Sequence, residues 1–252
     1  MINLCKFCNK EFTPKYKTQI FCSLLCSNRC NLNKKNIVTL PPQKSIELAE
    51  LFGILLGDGS VTKYYSKVYL NAKLEMEYVA FVKKLAKKLF KGVPVTHTKR
   101  EKDSTIGIQI SSIDVCDYLK NIGFNGKKRE IPLWITENTD YAKATIRGLF
   151  DTEGSVGIKF FRGKRGNYFY KQLTVTNKNK NILQFLEKYL IKLGYKPTKN
   201  SRKNIYISNG KDIKKYFLEI GSHNPKMINK IKKEKIKEFQ YGGLRRMARH
   251  QS

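Results

Sequence analysis

The stretch LFGILLGDGSV at residues 51–61 decides the fold, because it returns as IRGLFDTEGSV at residues 146–156. Residues 51–56 are apolar on every side of a helix, so this helix must be buried on most sides. Gly53 and Gly57 lie four residues apart and leave a groove for another helix backbone. An interior glycine costs a helix about 1 kcal/mol relative to alanine, so close packing explains the pair better than chance. The stretch predicts buried, closely packed helices.

The repetition continues beyond this stretch. The matching positions are Gly53 with Gly148, 108–111 with 205–208, and 122–123 with 220–221, at offsets of 95, 97 and 98 residues. The offset is 105 between Lys73 and Lys178, so the second copy has a longer first pair of strands, with its tip at 162–166. The chain therefore holds two copies of one unit.

Each copy has the pattern of the same α+β unit. A buried helix, with Ser45 as the predicted N-cap of the first, is followed by two β segments, an amphipathic helix, further β and a short helix that ends near a glycine. Cys116 falls in an apolar helical pattern and is expected in the core. We therefore expect two pseudo-symmetric αββαββα repeats. In each, helices cover one face of a four-stranded sheet and leave the other face open.

The charge balance indicates a polyanionic partner. The 252 residues include 50 Lys and Arg against 20 Asp and Glu, a net charge of +30. This excess favours nucleic acid as the partner, while a hydrophobic content of 40% excludes a wholly disordered basic protein. There is no run of about 18 apolar residues and no apolar signal region at the N-terminus. We expect an intracellular protein without a membrane partner.

Cysteines cluster at the N-terminus in a metal-binding pattern. Cys5, Cys8, Cys22 and Cys26 follow the spacing C-x2-C-x13-C-x3-C, which is typical of four thiolates on one structural Zn²⁺. Cys30 is an alternative to Cys26 as the fourth ligand. Metal binding would supply the folding energy of so small a unit. The module either adds DNA contacts or has a purely structural role.

Two acids carry the predicted chemistry. Asp58 and Glu153 each close the buried helix of their copy, where the negative end of the helix dipole disfavours a carboxylate. If the two helices pack together, the carboxylates converge and need a shared cation such as Mg²⁺, which can activate water against a phosphodiester. Asp151 has no acidic counterpart, because Leu56 occupies its place, so we interpret it as structural or solvated.

The two repeated stretches resemble the two LAGLIDADG motifs of a single-chain homing endonuclease. Leu56 stands where the motif has its first Asp, and residues 131–132 and 224–226 are also similar to that family. The resemblance covers residues 45–230 and implies a saddle over the DNA major groove, with one active site at the central helix pair. It implies Mg²⁺ held by Asp58 and Glu153 with the carbonyls of Gly57 and Thr152, and Ca²⁺ as a substitute for binding only.

The resemblance also implies a basic residue near each acid. In the second copy this is Lys226, and in the first it is Lys128, with Lys127 and Arg129 as alternatives. Lys73 and Lys178, near the end of a DNA-facing strand, are further candidates. The residues expected to contact DNA lie on the open sheet faces, at the hairpin tip and at strand ends. They are Lys67, Tyr69, Asn71, Lys73, Gln109, Lys159, Arg162, Lys164, Arg165, Lys171, Gln172, Thr174 and Lys178.

These features predict a homing endonuclease that acts as a monomer on double-stranded DNA. It would cut a long, quasi-palindromic target and leave 3′ overhangs, as part of a mobile intron element. The alternatives are an RNA maturase that binds its host intron RNA and a DNA-binding regulator without chemistry. Retention of both acids favours cleavage. The expected organisation is a zinc module at 1–36, a linker at 37–44, repeats at 45–130 and 131–232, and a basic tail at 233–252.

Overall fold

The computed structural model describes residues 2–27, 38–99, 104–163, 166–201 and 203–231, without the side chains of residues 161–170, 200 and 201. The predicted basic tail at 233–252 lies outside the described residues. The chain divides into two compact units, Met1–Thr39 and Leu40–Ser252. In the described part of the chain, the helices are too short or too polar to span a membrane.

The smaller unit is built on a two-stranded antiparallel sheet of β1 (Asn3–Leu4) and β2 (Glu11–Phe12). The tight turn between the strands is closed by the N–H of Cys5, which donates to the carbonyl of Lys10 at 2.9 Å. Asn9 takes a left-handed backbone conformation in this turn, with a φ of 56°. Such a conformation is several-fold enriched in asparagine among the non-glycine residues. The turn brings the sulfur atoms of Cys5 and Cys8 within 4.8 Å of each other.

The first repeat of the larger unit has the predicted order of elements. They are α1 (Ile46–Asp58), β3 (Gly59–Val61), β4 (Ser66–Asn71), α2 (Met76–Leu89), β5 (Val95–Lys99), β6 (Thr105–Ile110) and α3 (Ile113–Asn121). The hydroxyl of Ser45 accepts the N–H of Leu48 at 3.1 Å, which confirms the predicted N-cap of α1. The four strands form one antiparallel sheet in the order β3-β4-β6-β5.

The second repeat has the same architecture with one additional short helix before it. Its elements are α4 (Leu133–Thr136), α5 (Thr139–Glu153), β7 (Gly154–Gly163), β8 (Gly166–Thr176), α6 (Lys180–Lys192), β9 (Thr198–Ser201), β10 (Asn204–Ile207) and α7 (Gly210–Glu219). The strand order β7-β8-β10-β9 repeats that of the first sheet. The predicted α+β fold of two αββαββα repeats is therefore confirmed. The long β7–β8 hairpin accounts for the larger offset in the middle of the second copy.

The glycines of α1 and α5 let the two central helices approach each other closely. A Cβ atom added at Gly53 would collide with the carbonyl oxygen of Thr145, and one at Gly148 would collide with the carbonyl oxygen of Glu50. The hydroxyl of Thr145 donates to the carbonyl of Ala49 at 3.1 Å, across the same contact. The close packing predicted from the glycine spacing is confirmed, and the partner of each helix is the other copy.

Replacing Gly53 with alanine is therefore expected to destabilise the protein by about 1–3 kcal/mol, because the new methyl group overpacks two backbones that cannot move apart cheaply. Thermal or denaturant unfolding measures this loss. Gly210→Ala is the matched control, since a Cβ atom there has no neighbour within 4 Å. Equal stability of the two variants would contradict the close contact of α1 with α5.

Side chains alternate along the strands between a buried and an open face of each sheet. In β4 the residues Ser66, Val68 and Leu70 are buried, while Lys67, Tyr69 and Asn71 lie on the opposite face. In β8 the residues Leu173 and Val175 are buried on one face, and Gln172 and Thr174 lie on the opposite face, where Gln172 is also buried, at 7% exposure. The predicted open-face position of Lys171 is wrong, because a residue adjacent to Gln172 in a regular strand points to the other face.

Candidate active site at the central helix pair

The two acids lie at the ends of the packed central helices. α1 ends at Asp58 and α5 at Glu153, and neither helix has a basic residue in its last turn. The Cγ atom of Glu153 lies 3.2 Å from the position of a Cβ atom built on Gly57, the residue before Asp58. The structure therefore brings the carboxylates of both repeats to one place.

Burial and mutual repulsion act on these carboxylates. Burial, followed by the negative charges of Glu153 and Glu75, raises the pKa of Asp58 to about 7. Burial also raises the pKa of Glu153, and the positive charge of Arg129 opposes this rise. Two half-buried carboxyl groups that disfavour each other's charge form a site in which a cation is favourable.

Glu75 and Lys226 stand beside Asp58. Glu75 is 6% exposed and lies in the turn after β4. Its Oε1 accepts the ammonium of Lys226 at 3.2 Å and the Nδ2 of Asn224 at 2.8 Å. The positive charge of Lys226 lowers the pKa of Asp58 against the effect of burial. Lys226 belongs to the second repeat, whereas Glu75 and Asp58 belong to the first.

Arg129 and Asn177 stand beside Glu153. The Nδ2 of Asn177 donates to Oε1 of Glu153 at 3.2 Å. The Nη1 of Arg129 donates to the carbonyl of Gly57 at 3.1 Å and also to that of Leu56. These carbonyls belong to the last turn of α1, whose negative dipole end favours a cation. The two halves of the site thus use different chemical groups around similar acids.

A cleft of about 440 Å³ opens at this second half of the site. It is lined by Gly57, Arg129, Glu153, Thr176, Asn177, Lys178, Asn179 and Lys203. Lys178, a predicted DNA contact, therefore lies within the cleft. Lys73, its counterpart in the first repeat, is exposed in the turn after β4, where Oδ1 of Asn71 accepts its N–H at 2.9 Å.

The predicted basic residue of the first repeat needs correction. Lys127 and Lys128 are exposed, and the side chain of Asn125 accepts both of their backbone N–H groups at 3.1 Å. This turn leaves Arg129 with a left-handed φ of 48° and directs its guanidinium to the end of α1. Lys128 instead contributes its carbonyl, which accepts Nδ2 of Asn179 and Asn181 at 3.0 and 2.9 Å. Arg129, one of the alternatives, is the residue at the acids.

The remaining predicted DNA contacts have definite positions. Lys67 lies opposite Gln109 across the β4–β6 pair, on the open face of the first sheet. Lys159 is exposed in β7, on the face opposite Val156. Arg162 lies in β7, but its side chain is not described, and Lys164 and Arg165 lie outside the described residues.

Of the two predicted carbonyl ligands, Gly57 presents its carbonyl to Arg129. Thr152 is half-buried, and its hydroxyl donates to the carbonyls of Gly148 and Leu149 at 2.9 and 3.2 Å. The hydroxyl of Thr152 therefore satisfies carbonyls of its own helix.

Sequence reasoning missed Glu75, Asn177 and a buried network around Glu50. Both residues lie between the second strand and the next helix of their copies, Glu75 four residues after β4 and Asn177 one residue after β8, and a polar side chain in this connection is the signal that could have found them. Asp151 is 2% exposed, so the structural interpretation holds and the solvated one is wrong. Its carboxylate accepts the hydroxyl of Ser222 at 2.5 Å and the N–H of His223 at 2.8 Å.

In the smaller unit, four cysteines form a separate cluster. The Sγ atoms of Cys5, Cys8, Cys22 and Cys26 all lie within 4.8 Å of one another. The Cys22 sulfur is 3.6 Å from that of Cys8 and 3.5 Å from that of Cys26. This cluster fits a small zinc site. Cys30, the alternative ligand, lies outside the described residues.

Residues 140–221 match the family model of the LAGLIDADG-like domain. The meganuclease I-SmaMI has a similar fold. In its structure with an uncleaved DNA target and calcium ions, the sequence is 15% identical to this one. The superposition covers 80% of this chain and 93% of that chain and has a TM-score of 0.52. A second structure of I-SmaMI, bound to uncleavable DNA, is 12% identical with a TM-score of 0.50, over 76% of this chain and 88% of that one.

The chain also resembles parts of curated proteins. An uncharacterized protein of Methanocaldococcus jannaschii is 28% identical over 66% of this chain. The replication factor C small subunit of that organism is 25% identical over 73% of the chain, and a ribonucleoside-diphosphate reductase subunit alpha of Bacillus subtilis is 28% identical over 68%. The chain spans 61%, 10% and 17% of the lengths of these three proteins.

Proposed function

We propose that the chain is a site-specific, metal-dependent DNA endonuclease of the homing type. The observation that carries this proposal is the pair Asp58 and Glu153, brought together half-buried at the ends of two packed helices. A carboxylate is unfavourable at a helix C-terminus, and two together need a cation. A DNA-binding regulator without chemistry has no use for this arrangement.

The donor set at the helix ends fits Mg²⁺, a hard cation that prefers oxygen ligands. Asp58 and Glu153 would hold the ion, with the carbonyls of Gly57 and Thr152 as further ligands. Held there, the ion would supply activation of a water molecule and stabilisation of the leaving oxygen of a phosphodiester. Ca²⁺ would support DNA binding without cleavage.

The chain's own residues would bind and orient the DNA around these acids. Arg129 and Lys226 place positive charge next to the carboxylates, where they would bind the phosphates beside the scissile bonds and stabilise their developing charge. Asn177 orients the carboxylate of Glu153 through its hydrogen bond. Glu75 holds the ammonium of Lys226 close to Asp58.

The open sheet faces would contact the DNA on both sides of this centre. Lys67, Tyr69, Asn71 and Gln109 lie on the open face of the first sheet, and Lys159 and Thr174 on that of the second, where Gln172 is buried. The residues of the two faces differ, so the target would be long and quasi-palindromic. Because both acids come from one chain, the protein would act as a monomer, and we expect 3′ overhangs.

The relatives support a mobile origin. A module of about this size matches short portions of a replication factor and of a reductase subunit, which have unrelated activities, and each portion is less than one fifth of the protein. We therefore infer a self-contained element, such as an intron-borne nuclease, that inserts into unrelated host genes.

Incubation of the full chain with a randomised double-stranded DNA library tests the function. With Mg²⁺, sequencing of the cut ends should reveal one discrete site with 3′ overhangs, and Ca²⁺ should give binding to the same site without cuts. Absence of cleavage with Mg²⁺ would contradict the proposal. Tight binding of a structured intron RNA in that case would identify the maturase alternative.

For the smaller unit we propose a structural Zn²⁺ held by Cys5, Cys8, Cys22 and Cys26, in a module that adds DNA contacts. The purified chain is expected to contain about one zinc ion. Replacing Cys26 with serine should remove the ion, because the tetrahedral site loses one thiolate, and atomic absorption measures the content.

Cys116→Ala is the matched control, since that cysteine is buried in the larger unit. The variant Cys30→Ser should retain the ion. Loss of zinc from Cys30→Ser, with retention in Cys26→Ser, would instead identify Cys30 as the fourth ligand.

A further inference from the structure

The two basic residues at the acids are held by different means. Lys226 lies in residues 221–227, a loop that runs into the first turn of a helix at residue 225 and that we call the Lys226 loop. Arg129 lies in the loop of residues 124–130, the Arg129 loop. Lys226 of the second repeat contacts Glu75 of the first. Arg129 of the first repeat opposes the rise in the pKa of Glu153 of the second, and after Lys226 it also lowers the pKa of Asp58. Each repeat thus supplies a basic residue to the other repeat's acid, and the charge of Arg129 acts on both acids.

Asp151 binds three consecutive residues of the Lys226 loop. Its carboxylate accepts the hydroxyl of Ser222 at 2.5 Å and the N–H of His223 at 2.8 Å. Its carbonyl accepts Nδ2 of Asn224 at 2.8 Å. Asn224 in turn accepts the N–H of Lys226 at 3.1 Å through its Oδ1. A continuous chain of hydrogen bonds therefore leads from α5 to the backbone of Lys226.

Glu50 and Arg147 hold the same loop and its start. Nδ1 of His223 is 2.5 Å from Oε1 of Glu50, on α1. Nη1 of Arg147, on α5, donates to the carbonyl of Ile220 at 3.0 Å. The Lys226 loop is thus bound to both central helices, in addition to its contact with Glu75.

Among the residues that the structure describes, no side chain of α1 accepts a hydrogen bond from the Arg129 loop. The position that matches Asp151 in the first copy is Leu56, which offers no side-chain acceptor. Arg129 instead binds the carbonyls of Leu56 and Gly57 with its own guanidinium. Asn179 and Asn181 of the second repeat hold the loop by donating hydrogen bonds to the carbonyl of Lys128.

We propose that Asp151 is a positioning residue that sets Lys226 against Asp58 and thereby controls the cutting of one DNA strand, while Arg129 serves the other strand. The inference rests on the proposed endonuclease function. A displacement of about 1 Å at a reacting centre can cost about 100-fold in rate. A change that loosens the Lys226 loop should therefore slow the cleavage of one strand and leave the cleavage rate of the other strand unchanged.

The test measures each strand separately on a duplex that carries the selected target, with a different dye on each strand. With Mg²⁺, Lys226→Ala should slow the cleavage of one strand. Ser222→Ala and Asp151→Asn should slow the cleavage of that same strand by about 10-fold to 100-fold. Arg129→Ala should slow the opposite strand. On plasmid DNA, both groups of variants should accumulate nicked circles. Ser222→Ala removes one hydroxyl from a half-buried side chain and leaves no buried carboxyl group altered, so it is expected to fold even if Asp151 variants do not.

Asp140→Asn is the matched control, an exposed acid in the first turn of the same helix, and it should leave the ratio of the two strand rates unchanged. Hydrogen exchange gives a readout without activity: in Asp151→Ala the amide of His223 should exchange faster, while that of Arg129 should not change. DNA affinity in Ca²⁺ should stay near the wild-type value.

Equal slowing of both strands by Ser222→Ala and Asp151→Asn, or no slowing, would overturn the positioning role and leave the endonuclease proposal standing. Unchanged exchange at His223 in Asp151→Ala would also overturn it. Failure of the wild-type chain to cut either strand of any duplex would instead remove the proposed function itself.

Discussion

Asp58→Asn and Glu153→Gln are each expected to reduce DNA cleavage by at least about 1,000-fold. Each substitution removes one of two carboxylates that would share the divalent ion. An ion that supplies several kcal/mol of transition-state stabilisation is worth that factor, because about 1.4 kcal/mol corresponds to tenfold in rate. Plasmid cleavage with Mg²⁺ measures the loss, and gel-shift titration in Ca²⁺ should still show binding to the target.

Stability separates this loss of chemistry from misfolding. Because each variant removes one of two facing negative charges, its melting temperature without metal should equal or exceed that of the wild type. Mg²⁺ should raise the melting temperature of the wild type and have a smaller effect on the variants, since binding to the folded state is what stabilises it.

Asp117→Asn is the matched control, because it removes the same charge from an exposed helical position at 57% side-chain exposure. It should cut at the wild-type rate. Cleavage by Asp58→Asn at that rate would exclude the shared-ion site.

Arg147→Ala is expected to destabilise the protein by about 3–5 kcal/mol, the cost of leaving one partner of a buried ion pair uncompensated. Glu50 is 3% exposed, and Arg147 binds both of its carboxylate oxygens, at 3.0 and 2.7 Å. Burial favours the neutral acid, but hydrogen bonds from His223 and Arg147 hold the pKa of Glu50 below its ordinary value. Removal of the guanidinium leaves this carboxylate buried with His223 alone.

The stability deficit of Arg147→Ala should depend on pH, because the charge of Glu50 contributes to stability differently in the two proteins. In the wild type, the lowered pKa means that Glu50 stabilises the folded state above its unfolded pKa, and this contribution is lost as the pH falls through the folded value. In Arg147→Ala the buried carboxylate has lost the guanidinium that binds both of its oxygens, so burial raises the pKa of Glu50 above its unfolded value. The charged form of Glu50 then destabilises the folded state, and protonation at lower pH relieves this effect. The deficit against the wild type should therefore shrink as the pH is lowered from 7 to about 5, within the range in which a buried acid takes up a proton.

Chemical denaturation at both pH values measures the deficit. Lys88→Ala is the matched control, because it breaks an exposed pair with Glu47 and should cost about 0–1 kcal/mol. A deficit of that size for Arg147→Ala would show that the buried pair contributes no more than a surface pair.

Local patterns were enough to predict the architecture. The glycine spacing of 53 and 57 predicts tight helix packing, because only a residue without a side chain admits another backbone at that distance. The N-cap at Ser45 and the core position of Cys116 follow from local chemistry and periodicity in the same way. Alternation in the strands predicts Lys67, Tyr69 and Asn71 on one face. The error at Lys171 came from placing two adjacent strand residues on the same face.

The sequence by itself determined the duplication, the α+β repeat, the two acids at the helix ends and the cysteine cluster, because each depends on residues a few positions apart or on one constant offset. Only the tertiary structure decided which groups stand beside the acids. Glu75 meets Lys226 across 151 residues of chain, and Glu50 meets His223 across 173. The choice of Arg129 over Lys128 depended on a left-handed turn. Such contacts arise when two repeats fold against each other, and no local pattern encodes them.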